Sequence, residues 1–156
     1  MPTNKKPRKK YRPKEIPLLP KVFRQTPEVD RMLKMIPQQE LQSLRDNTAD
    51  KGTWNTLTCR LDWGLFMAID HFDNIDANDA IIDALDSMRS IKARYERIGK
   101  WGMTGEEFLN IGAALNLVDD MQTQTTRREQ EDSFDAMMKL NKQKLKEQQN
   151  EIRKNI

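Results

Sequence analysis

The chain has 156 residues, of which 37% are apolar and 33% charged, with six glycines and a net charge of +3. That length suits one domain with tails, and charge-rich, glycine-poor composition favours helices over sheets. No apolar run reaches the roughly 18 to 20 residues a membrane span needs, and the basic start is followed by no apolar signal core. A lone Cys59 makes neither an internal disulfide nor a cysteine-rich zinc site. The expected location is therefore the cytoplasm.

Charge is distributed in blocks. Residues 1–14 carry seven cations (Lys5, Lys6, Arg8, Lys9, Lys10, Arg12 and Lys14) and no acid, so everything from Glu15 onward sums to −4. The isoelectric point near 9.0 thus comes from this arm. Further along, Leu61 to Met88 holds seven aspartates and no Lys or Arg, Arg89 to Trp101 sums to +4, Gly102 to Asp135 to −6, and the last 21 residues to +4.

Six of the seven prolines fall between residues 2 and 27, where each fixes φ and removes a backbone donor. The first half of this region is expected to be disordered for want of apolar surface. Its second half, with Ile16, Leu18, Leu19, Val22 and Phe23, reads as an extended strap across a helical surface. Thr26 then caps a short helix with Pro27 in its first position, and Pro37 is expected to end it. Gln38 to Asp46, with Leu41 and Leu44 one turn apart, reads as a second short helix.

The strongest helical periodicity runs through Trp54, Leu57, Leu61, Leu65, Ala68 and Phe72, in steps of three and four. Cys59, Trp63 and Phe66 lie on the other side of the same helix. A helix apolar on two sides is sandwiched within its own bundle or faces a partner. The next helix, expected from Asp76 as N-cap to about Ile98, carries Ile81, Ala84, Leu85, Met88, Ile91, Tyr95 and Ile98 on one arc and Asp76, Asp79, Asp83 and Asp86 on another. Gly99 suits the left-handed residue after its end. Thr104 and Glu107 have capping-box spacing and open a helix with Phe108, Ile111, Leu115 and Val118 on one stripe. Gly64 and Gly112, inside helices, point to close helix packing. Beyond "QTQTTRREQED", Phe134, Met138, Leu145 and Ile152 recur mainly at seven-residue steps, with Asn141 and Gln148 in the second row of a coiled-coil seam.

The expected fold is thus all-α: a bundle of three main helices with short N-terminal helices, a disordered basic arm and an extended C-terminal helix. Its parts are an arm and strap over residues 1–25, a bundle over 26–132 and a charged helical extension over 133–156.

Chemistry-bearing motifs are sparse. The single His71 has no partners at zinc spacing. "DHFDNIDANDAIID" lacks the glycine and the terminal glutamate of a calcium loop. No nucleophile elbow or phosphate-cradling loop occurs. The expectation is a non-enzyme with no catalytic residue, no metal and no cofactor. The arm is the principal site predicted: Lys5, Lys6, Arg8, Lys9, Lys10, Arg12 and Lys14 neutralise phosphates without reading sequence, and Tyr11 stacks on a base. If all seven cations engage duplex DNA, log K against log salt slopes by about −6 at most. The second predicted site takes a host protein on Trp63 and Phe66 or on the face of Asp79, Asp83 and Asp86. A third expectation is self-association through Met138, Leu145 and Ile152.

"KKYRPK", the short helix after it, the longer helical pair, and "GAALNLVDDM" leading into "TTRREQED" resemble small uncharacterised proteins encoded in proteobacterial phages and prophages, which open with a similar basic Tyr-Arg-Pro-Lys tag. The resemblance spans about Lys9 to Phe134. It implies a phage-encoded accessory protein in a bacterial host cell and supplies no activity or catalytic residue. The long basic C-terminal segment departs from that group.

Overall fold

The computed structural model describes residues 27–72 and 74–154; the basic arm, the strap and Thr26 lie outside them. Five helices follow one another: α1 (Pro27–Arg45), α2 (Lys51–His71), α3 (Ile75–Ile98), α4 (Gly105–Gln124) and α5 (Arg127–Lys154). The described residues contain no strand, so the fold is all-α.

The N-terminal pair of short helices is instead the single helix α1, with Pro37 inside it. Proline removes one helical hydrogen bond and crowds the carbonyl four residues back, at a cost of about 3 kcal/mol in an exposed helix. Here Pro37 is itself buried, and Leu41 and Leu44 beyond it are wholly buried. Burying a leucine is worth about 1.5–3 kcal/mol, so the packing that needs a continuous helix outweighs the missing bond. Asn47, at φ 57°, turns the chain after α1.

Each later helix begins on a side chain that takes an orphan backbone N–H. The Asp50 carboxylate accepts from Thr53 N–H at 2.7 Å to start α2. For α3 the cap is Asn74, accepting from Ala77 N–H at 3.2 Å, and not Asp76. Asp76 sits one step inside the first turn, where its charge complements the helix dipole. Gly99 closes α3 at φ 72°, as its position suggested. The Thr104 hydroxyl accepts from Glu107 N–H at 3.1 Å while the Glu107 carboxylate accepts from Thr104 N–H at 2.7 Å, the expected reciprocal cap of α4.

Helix α2 is the hub, packing against α1, α3, α4 and α5. Leu57, Leu61, Met67 and Ala68 of α2 join Ile81, Met88 and Ile91 of α3 and Ile111, Leu115 and Val118 of α4 in one apolar core. Gly64 sets the α2–α4 distance: a Cβ there would overlap the Val118 side chain, reaching 3.1 Å from Cγ1 and closer still to Cγ2. Gly112 is different, since an added Cβ would meet Leu41 at an ordinary 3.6 Å and Gln38 Oε1 at 3.9 Å.

Two polar arrangements fasten the bundle. The Arg94 guanidinium of α3 donates to both Glu107 oxygens, at 2.9 and 3.1 Å, and to the Gly102 carbonyl at 2.6 Å. Burial pushes the Glu107 carboxyl up, but the Arg94 fork and the Thr104 N–H outweigh it and hold the group below its usual range. At the second, Arg60 of α2 pairs with the buried Asp119 of α4 and donates to Gln122 at 3.3 Å. Glu40 of α1 feels the same guanidinium, although burial raises its carboxyl.

Candidate functional site

Helix α5 has two unlike halves. It starts on Thr126 and Glu129, which cap each other: Thr126 N–H donates to the Glu129 carboxylate at 2.7 Å, and Glu129 N–H to the Thr126 hydroxyl at 3.3 Å. Donation to it from the Thr126 N–H and, at 2.8 Å, from the Thr126 hydroxyl holds the Glu129 carboxyl below its usual range, with a smaller contribution from nearby His71. Over the next turns α5 lies on the outer side of α2. The Trp63 indole donates to the Gln130 carbonyl at 3.1 Å and meets Phe134 edge-on, with centroids 6.4 Å apart. Ser133 and Met137 are buried there. Helix α5 therefore crosses the position where a separate extension was expected to begin, and its first residues belong to the bundle.

Among the described residues Met137 is the last buried one. From Met138 to Glu151 every residue is exposed, while the backbone stays helical to Lys154. These 17 residues, Met138 to Lys154, extend roughly 25 Å at 1.5 Å per residue. Lys139, Lys142 and Lys146 are exposed and fall at i, i+3 and i+7, on one face. Glu147 and Glu151 fall on another face, four residues apart. Lys144 lies off the Lys139 face and acts toward α2. Burial raises the Asp62 carboxyl of α2, and Arg89 and Lys144 partly oppose that rise.

The structure separates the residues predicted for protein binding. Asp79, Asp83 and Asp86 are all exposed on α3, and Ile75 and Ile82, at 72% and 41% exposure, lie beside them. Asp86 also pairs with Arg89. Trp63 and Phe66 stand on α2, both half-buried, and Trp63 is engaged by α5. A shallow cleft of about 420 Å³ remains between Trp63, Phe134 and the outer residues Asn55, Thr56, Cys59 and Arg60. The Cys59 thiol is pushed up by partial shelter and by Asp62, which makes it a poor nucleophile at neutral pH.

Among the described residues no three His, Cys, Asp or Glu side chains gather in a way that holds a metal ion. His71 Nδ1 lies 4.0 Å from a Glu129 oxygen. None of the described helices is long and apolar enough to cross a membrane. The predicted arm residues from Lys5 to Lys14, Tyr11 included, lie outside the described residues. The Thr126–Glu129 cap was not anticipated from the sequence. The same Thr-x-x-Glu spacing that located α4 occurs in "TRRE" and places the start of α5.

Comparison of the chain with known protein families, with curated proteins and with solved structures finds no match.

Proposed function

We propose that this is a non-enzymatic, phage-encoded accessory protein of the bacterial cytoplasm that binds nucleic acid, or a nucleoprotein complex, through its cationic ends. The phage origin rests on the resemblance at "KKYRPK" and "GAALNLVDDM". One observation carries the binding: from Met138 to Glu151, α5 is an exposed helix with Lys139, Lys142 and Lys146 on one face and Glu147 and Glu151 on another. Residues 15–135 sum to −8 and repel phosphate, so contact concentrates where the chain places cations away from them. A second cationic segment, the arm from Lys5 to Lys14, adds seven charges. Contacts of this kind neutralise phosphates and release counterions, giving strong salt dependence and little sequence preference.

The test is a gel shift at several salt concentrations, comparing the full chain with one that begins at Glu15. The expected result is weaker binding and a shallower salt dependence without the arm. Equal affinity and equal salt dependence remove the arm from the function.

A second reading has its own observation. Ile75 and Ile82 are exposed among Asp79, Asp83 and Asp86, an acidic surface with apolar groups that suits a basic protein partner, such as a host factor to be inhibited. Capture from nuclease-treated host lysate, abolished by Ile82→Lys with Asp83→Lys, supports this reading; capture that depends on intact nucleic acid supports the first.

A further inference from the structure

We infer that the free half of α5 pairs with the same half of a second copy, in parallel and in register. Three apolar residues exposed along α5 form a line: Phe134, at the end of the docked half, and Met138 and Leu145 beyond it are 42%, 48% and 59% exposed. Their spacing of four and seven residues places them on one stripe, a spacing the sequence repeats at Ile152; Leu140, 38% exposed, lies off it. This stripe lies beside the face of Gln130, Ser133 and Met137 that α2 covers, so docking on α2 leaves it open. It has the 3-4 spacing of a two-stranded seam, with Asn141 and Gln148 in the alternate row.

Those two amides select the occupant and its direction. In an unrelated apolar groove each would be buried without a partner, at about 1–3 kcal/mol apiece. Against a parallel, in-register copy each meets its twin, and an amide offers both donor and acceptor to the other. An antiparallel copy centred on the same stripe sets Asn141 against Leu145 and brings Lys142 and Lys144 each opposite its own twin. The parallel arrangement avoids both: Lys144 flanks the second copy's Gln149, and Lys142 lies level with its Met137, an apolar residue that α2 covers, so that no cation stands opposite it. Lys139 and Lys146 lie outside the seam in this register. Pairing therefore leaves two cationic stripes open, and it does not depend on nucleic-acid binding being correct.

Sedimentation of the full chain over a range of concentrations tests the pairing. A reversible monomer–dimer equilibrium is expected, with Leu145→Glu raising its midpoint concentration about tenfold or more while the thermal transition of the exposed-site variant stays unchanged. Direction is read by oxidative cross-linking in a Cys59→Ser background, where Gln148→Cys cross-links efficiently and the outward-facing Asn150→Cys does not. A monomer at all concentrations, a dimer indifferent to Leu145→Glu, or equal cross-linking at the two positions overturns the proposal.

Discussion

Neighbouring residues of α2 face two different kinds of packing. Gly64 looks inward, where α4 approaches so closely that a Cβ would collide with Val118. Trp63 looks outward, where α5 is held by one indole hydrogen bond, one aromatic edge and the buried Ser133 and Met137. The inner interface is close-packed on both sides and tolerates no added or missing volume. The outer one is an amphipathic helix laid on a finished bundle, with Phe134 still 42% exposed. Opening free energies differ across a structure according to such packing, so α5 should separate from α2 well before the bundle unfolds.

The largest effects belong to the inner side. Leu61→Ala removes a wholly buried side chain at the hub and should cost about 3 kcal/mol in urea unfolding; a cost under about 1 kcal/mol would mean that α2 is not central. Gly64→Ala gains about 1 kcal/mol of helix propensity yet should still destabilise by about 2 kcal/mol, through overlap with Val118. A stabilised variant would show that α2 and α4 stand further apart than described.

On the outer side the consequence should be local. Trp63→Ala is expected to cost about 1.5 kcal/mol globally, and amide exchange in residues 127–137 should accelerate much more than in α3. Uniform acceleration across both helices would merge the two sides into one cooperative unit.

Glu107→Gln probes the cap shared by α3 and α4, at about 1 kcal/mol at pH 7. Because the folded Glu107 carboxyl lies below its usual range, its contribution is present above the unfolded pKa and disappears as pH falls through the folded value. The gap between wild type and variant should therefore close in acid. Burial works the other way on Asp62: its contribution is full below the unfolded pKa and is lost as pH rises through the raised folded one. The smallest effect is expected from ending the chain after Met137, which removes a stretch exposed from Met138 to Glu151 and should change stability by less than about 0.5 kcal/mol.

Periodicity located α2, α3 and α4 because their core stripes repeat within one helix, and spacing alone placed the Thr104–Glu107 cap and Gly99. It misled at Pro37, where a local rule about a missing hydrogen bond gave way to the burial of Leu41 and Leu44, residues beyond the proline's own turn. It also misplaced the α3 cap, since Asn74 and Asp76 are both good capping residues and only the path of the preceding turn chooses between them. The Arg60–Asp119 pair joins residues 59 apart in sequence, and nothing local announces it. The cationic half of α5 was legible as charge and helical pattern. What the structure adds is the boundary at Met137, which depends on where α2 stops covering the helix.

The division of α5 into a docked half and a free cationic half is tested most directly by the salt dependence of DNA binding in the full chain and in Lys139→Gln/Lys142→Gln/Lys146→Gln. If these lysines contact phosphate as proposed, the slope of log K against log salt should flatten by up to about 3, with the thermal transition unmoved. An unchanged slope would contradict the assignment of α5 to phosphate binding.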